Sequence, residues 1–239
     1  SYGHTDLDRA DQRMTPDRLV SVDRVGKKFC RGLKRSLWYG LRDLGAELLG
    51  RSGGRSELRK DEFWAAKDIS FQLSRGETLG LIGHNGAGKT SLLRMLSGLI
   101  RPDVGRIEVR GRLQALIALG AGFNPLLTGR ENIYVNASIL GVRKKEIDRL
   151  FDRIVDFAGV EESLDMPVQS YSSGMAVRLG FAIAAHLEPD VLLIDEVLSV
   201  GDIAFRTKCQ LRIRELQESG VAIILVSHNL HTISHICTR

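Results

Sequence analysis

The chain has 239 residues, 43% of them hydrophobic and 26% charged, the make-up of a globular protein with a sizeable core rather than a disordered or fibrous one. No run approaches the roughly 18 apolar residues that span a bilayer, and no signal peptide opens the sequence. Three scattered cysteines (Cys30, Cys209, Cys237) lack metal-ligand spacing and the even number of a disulfide framework, so reduced thiols in a cytosolic protein are expected. The net charge of +5 is local: between Cys30 and Lys60 eight basic residues face three acidic ones, which leaves the rest of the chain balanced.

Residues 1–17 are polar without periodicity and read as a flexible arm. "LVSVDRV" (19–25) reads as a strand, and "FWAAKDISFQL" (63–73) as another that turns at Arg75-Gly76. Between them lies a basic insert, residues 30–62. Within it Leu37, Leu41, Leu44 and Leu48 follow helical spacing, with Trp38 and Tyr39 beside them. Such a helix could pack on its own domain. Flanking arginines with Trp and Tyr also suit the membrane interface, and on that reading the helix sits against a transmembrane partner as a gate.

Thr78 to Ile82 then forms a short apolar strand, followed by Gly83, His84, Asn85, Gly86, Ala87, Gly88, Lys89, Thr90 and Ser91. This is the phosphate-loop spacing G-x-x-x-x-G-K-[ST], known as Walker A, and it leads into a leucine-patterned helix. Glycines let backbone N–H groups turn inward around phosphate oxygens at a helix N-terminus. Lys89 would neutralise the β- and γ-phosphates and Thr90 would ligate Mg²⁺, so ATP and Mg²⁺ are the expected cofactors. "GRIEVRG" (105–111) reads as a hairpin arm. Ile147, Phe151, Ile154 and Ala158 mark a helix that Gly159 would end. The apolar runs "VLLIDE" (191–196) and "VAIILVSH" (221–228) flank a helix marked by Phe205, Cys209, Ile213 and Leu216 that ends at Gly220. Buried strands alternating with helices indicate a parallel α/β sheet.

In a parallel sheet the C-terminal strand ends carry the site. Asp195 would therefore hold Mg²⁺ as the Walker B acid, Glu196 would orient and deprotonate the attacking water, and His228 would reach the γ-phosphate.

"YSSGM" (171–175), opening a long apolar helix before Walker B, resembles the LSGGQ signature of ABC-type ATPases, with Tyr171, Ser173 and Met175 replacing Leu, Gly and Gln. The order Walker A, signature, Walker B and His supports that resemblance over roughly residues 19–239. It implies a P-loop NTPase (RecA-like) α/β fold with an antiparallel β region and an inserted helical subdomain at about 123–180. It also implies head-to-tail dimers in which Tyr171, Ser172, Ser173, Gly174 and Met175 act on the partner's nucleotide. Asp202 in "SVGD" matches the D-loop acid, and Phe29 in "VGKKF" the aromatic that stacks on adenine, with Trp64 as the alternative.

"EFWAAKDISF", "LGAGFNPLLTGREN" and "YSSGM" look, more narrowly, like the ATPase subunit of bacterial polysaccharide exporters. That implies a motor on the cytoplasmic face of the inner membrane, driving an integral membrane permease that moves lipid-linked O-antigen, capsule or teichoic acid. The rival is a soluble ABC-type ATPase acting on nucleic acid or ribosomes; no tandem cassette or coiled coil supports it, and no nucleic-acid partner is expected. Two departures stand out. The family's Q-loop glutamine is missing from "LIALGAGFNP", Gln114 lying too early, and the chain stops soon after His228, where the family adds more strand and helix.

Overall fold

The computed structural model describes residues 17–32, 58–84, 86–116, 122–195, 202–227 and 237–238. Residues 1–16 of the expected N-terminal arm and the insert stripe Leu37, Trp38, Tyr39, Leu41 and Leu44 lie outside these residues. Two long strands, β1 (Arg18–Cys30) and β2 (Glu62–Ser74), lead to the short β3 (Thr78–Leu81) and helix α1 (Lys89–Leu96). Strands β4 (Val104–Val109) and β5 (Leu113–Leu116) follow, then α2 (Gly129–Ile139), α3 (Lys144–Ala158) and α4 (Ser173–His186). The described elements close with β6 (Val191–Asp195), α5 (Ile203–Glu218) and β7 (Ala222–Val226).

These strands form two sheets. One is antiparallel with order β2-β1-β4, the other parallel with order β3-β7-β6-β5. The stretch 105–111, expected as a hairpin arm, instead pairs with β1, far away in sequence: Val109 lies opposite Val20 and Ile107 opposite Val22. That pairing sets Ile107 and Val109 against buried Val20 and Val22 in one core, a reward that a local hairpin would not supply. Strand β5 was not anticipated; four residues are too few to show a period.

The parallel sheet explains the uninterrupted apolar runs. Val191 and Leu193 of β6, with Ala222, Ile224 and Val226 of β7, pack against α1 and the antiparallel sheet. The alternating residues Leu192, Ile194, Ile223 and Leu225 pack on the other face against α4 and α5, through Phe181, Phe205, Cys209 and Ile213. A strand buried on both faces needs apolar residues at every position.

Helices α2, α3 and α4 enclose a third core. α3 contributes Ile147, Phe151, Ile154, Val155 and Ala158, each large side chain worth about 1.5–3 kcal/mol on burial, and stops at Gly159, whose φ of 63° and ψ of 48° form a left-handed cap. α4 belongs to two cores at once: Leu179, Ala182 and Ile183 face the helical layer, while Phe181, Ala184 and Ala185 face the sheet. Among the described residues no helix is long and apolar enough to cross a membrane.

One buried polar residue organises the approach to the helical layer. Asn132, fully buried on α2, donates through Nδ2 to the carbonyls of Asn124, Leu127 and Thr128 at 3.0, 3.1 and 2.9 Å, and its Oδ1 accepts from Asn124 N at 2.8 Å. The loop so pinned is zipped in turn to the segment ahead of α4, through Val168 N to Leu127 O at 2.9 Å and Gln169 N to Pro125 O at 3.0 Å. Replacing Asn132 with Ala strands a buried amide N–H, and should lower unfolding stability by about 2–3 kcal/mol. A urea titration checks this; a loss under about 0.5 kcal/mol would mean that the loop holds itself.

Candidate active site

The site forms where three parallel strands stop level. Leu81, the last residue of β3, pairs with Val226 of β7, which pairs on its other side with Asp195, the last residue of β6. The phosphate loop leaves β3 at this edge, Ser227 follows β7, and the Asp195 carboxylate ends β6. Glu196 follows Asp195 and His228 follows Ser227 in sequence; both lie, with Asn85, outside the described residues.

Within the loop, Gly86 and Gly88 adopt φ of 84° and 89°, conformations open to glycine. Gly88 has a second reason to be glycine, since a Cβ there would collide with the carbonyl oxygen of Ala65. That carbonyl is exposed by a β-bulge: Lys27 pairs with Ala66 and Lys28 with Trp64, leaving Ala65 unpaired between them. The bulge thus abuts the first turn of α1. Lys89 Nζ donates to the carbonyls of Gly83 at 2.6 Å and His84 at 3.0 Å, so its ammonium lies within the loop. Thr90 is in the same first turn, with Ser91 after it. A threonine hydroxyl and the Asp195 carboxylate are hard oxygen donors of the kind Mg²⁺ takes.

Phe29 is 40% exposed and lies opposite Phe63, 39% exposed, the ring centroids 6.4 Å apart. Phe63 precedes the bulged Ala65 by two residues, about 7 Å along the strand, so this aromatic pair stands beside the phosphate loop. Trp64 points elsewhere: its ring packs over Gly26, and the Lys28 ammonium lies 4.7 Å from its centroid. Phe63 escaped sequence reading because only strand register shows that it shares a face with Phe29.

The signature residues occupy the start of α4. Ser172 is the N-cap, its hydroxyl oxygen accepting from Met175 N at 3.2 Å, and both Ser172 and Ser173 are exposed. Gly174 keeps this turn slim, and Met175 packs inward on the helical core. Tyr171 anchors the turn by donating from its hydroxyl to Ser163 O at 2.8 Å; burial pushes its pKa up. Asp202 caps α5, accepting from Phe205 N at 2.7 Å, and pairs with Arg178 of α4. The Phe205 N–H, aided by the Arg178 charge, holds the Asp202 carboxyl below its usual range. Gln114 sits in β5, opposite Leu192 of β6. Arg178 and Asn132 were also missed; an Arg or Asn on a helix carries no sequence mark of its partner.

The contact between bulge and loop is testable. Gly88→Ala must relieve both the Ala65 collision and the left-handed backbone, and should cost at least about 2 kcal/mol of stability by denaturant unfolding. An unchanged midpoint would contradict the packing of β2 on the loop.

The family described as ABC transporter matches residues 66–199. The chain is 47% identical over 182 residues to the O-antigen export system ATP-binding protein RfbB of Klebsiella pneumoniae, covering 76% of this chain and 74% of that protein. It is 47% identical over 201 residues to the teichoic acids export ATP-binding protein TagH of Levilactobacillus brevis, covering 84% of this chain but 55% of that protein. Among solved structures, an ATP-binding subunit of an ABC transporter matches with TM-score 0.72 and 22% identity over 92% of this chain and 83% of its own. The dimeric, post-hydrolysis ATP-binding cassette MJ0796 bound to ADP and Pi matches with TM-score 0.69 and 17% identity over 90% of each chain. At those identities the two structures speak for the fold. Family match and relatives together decide the assignment: the chain belongs to the ABC transporter family, as one of its ATP-binding subunits.

Proposed function

We propose that this protein is the ATP-hydrolysing motor of an ABC transporter that exports a lipid-linked polysaccharide across the bacterial inner membrane, working from its cytoplasmic face. The observation that carries the reading is the 47% identity to an O-antigen export ATP-binding protein over 76% of the chain, on a framework that sets a phosphate loop beside Asp195. Relatives in both O-antigen and teichoic acid export favour this reading over an ATPase acting on nucleic acid or ribosomes.

In this reading the loop N–H groups and Lys89 hold the triphosphate, whose γ-phosphoryl charge Lys89 offsets. Thr90 and Asp195 would hold Mg²⁺, which supplies neutralisation of the phosphate charge. Glu196 takes the proton of the attacking water, and His228 donates to the γ-phosphate. Phe29, with Phe63 behind it, offers the base a stacking face. Ser172 and the amides of Ser173 and Gly174, at an exposed helix N-terminus, serve the nucleotide of a second copy arranged head to tail. Closure of that dimer on ATP, and reopening after hydrolysis, would drive an integral membrane permease. The stripe Leu37, Trp38, Tyr39, Leu41 and Leu44 meets that permease as the gate.

Glu196→Gln tests the chemistry. It should keep ATP binding, lower steady-state hydrolysis by about 100-fold or more, and accumulate an ATP-bound dimer by size-exclusion chromatography. Turnover near the wild-type rate would reject Glu196 as the base.

A further inference from the structure

We propose that a cavity between α3, α4 and α5 binds a small aliphatic cation, one carrying ammonium or guanidinium groups on a methylene stem. The cavity has a volume of about 300 Å³ and is walled by the second half of α3, the end of α4 and the second half of α5. It is separate from the phosphate site. His186, on its wall, lies 14 residues beyond Ser172, about 21 Å along α4. It comes before the first residue of β6, whereas Asp195 ends that strand.

His186 is only 8% exposed. Its Nδ1 lies 2.8 Å from the Ala182 carbonyl oxygen, which can only accept, so Nδ1 carries the proton. Burial pushes the imidazole pKa down, which keeps the ring neutral near pH 7. Nε2 is then an acceptor, and it makes no hydrogen bond with a described residue. It is not sealed off either, because the cavity reaches the ring.

The charges around this acceptor are unbalanced. Arg212 is committed: Nε and Nη2 donate to Ala185 O at 3.2 and 3.1 Å, and Nη1 to Glu215 at 2.8 Å. Arg153, Asp156 and Glu188 also line the cavity, and their side chains make no hydrogen bond or ion pair among the described residues. With the Arg212–Glu215 pair cancelled, two carboxylates stand against one guanidinium, a net charge of −1. Three acceptors therefore await donors, against one donor that awaits an acceptor. Leu150 and Phe157 supply an apolar wall. Phe157 is held in place, edge to face with His186 at 5.0 Å and stacked on Phe181 at 5.9 Å. A wall fixed in advance needs little ordering when a ligand arrives.

A cation with several N–H donors and an aliphatic stem matches all of these groups. An anion would meet the carboxylates. A divalent metal lacks ligands, since no group of three His, Cys, Asp or Glu side chains among the described residues could hold one. A neutral polyol brings donors but no charge to match.

The probe is agmatine, a four-carbon chain with an ammonium at one end and a guanidinium at the other. Isothermal titration of the full chain at about 150 mM NaCl screens loose surface pairing. One saturable site is expected, with a Kd of about 0.1–1 mM. Asp156→Asn and Glu188→Gln should each weaken it about fivefold, and the two together about 20-fold. Asp152→Asn, the same change on α3 outside the cavity, should shift it less than about twofold. His186→Phe keeps a ring against Phe157 and removes Nε2, and should weaken binding about fivefold. Arg153→Met should bind agmatine at least as tightly as the wild type, since Arg153 only repels a cation.

No saturable binding below about 10 mM would overturn the proposal. So would an equal loss in Asp152→Asn, or full affinity in the Asp156→Asn/Glu188→Gln double variant. Displacement of agmatine by glucose would mark a hydroxyl site, and displacement by sulfate an anion site; either result contradicts a cation site. Should His186→Phe fail to fold, the exposed carboxylate variants still decide.

Discussion

The site depends on parallel pairing among β3, β7 and β6. Those ladders bring Leu81, Val226 and Asp195 level, although more than a hundred residues of sequence separate Leu81 from the other two. A slip of one residue would exchange the two buried faces of each strand, setting side chains fitted to α4 and α5 against α1, and would move the carboxylate away from the phosphate loop. The apolar residues on both faces of β6 and β7 fix that register, so the packing that stabilises the sheet also sets the chemistry.

Two further contacts attach the remaining layers to this edge. The bulged Ala65 carbonyl against Gly88 holds the antiparallel sheet to the phosphate loop, and so fixes the Phe29–Phe63 pair relative to it. On the other side α4 is shared between the sheet core and the helical core. Its N-terminus, with exposed Ser172, is thereby mounted on a helix that both layers hold. The zipper from the Asn132-pinned loop to residues 164–169 gives this helix a second connection, leading from the chain just after β5.

Much of this was legible in the sequence where the signal is local. The phosphate loop declares itself by glycine spacing, the Gly159 stop by composition, and β6 and β7 by unbroken apolar runs. What escaped was non-local. The partner of residues 104–109 is β1, which only long-range register reveals. The bulge at Ala65 shows as one extra residue between two pairings, and "FWAAKD" carries no mark of it. Strand β5 is too short for periodicity. Asn132 and Arg178 look like ordinary helix residues until their partners, eight and 24 positions away, are placed beside them.

In the proposed motor, Ser172 of one protomer completes the phosphate site of another. The most direct measurement mixes isotopically labelled Ser172→Cys protein with unlabelled His84→Cys protein, both carrying Glu196→Gln. The mixture is treated with a short bis-maleimide with and without ATP, and the linked peptides are mapped by mass spectrometry. A labelled-to-unlabelled link between positions 172 and 84 that requires ATP is expected. A protein that binds ATP yet forms only links between two positions 172, or none that depend on ATP, would contradict it.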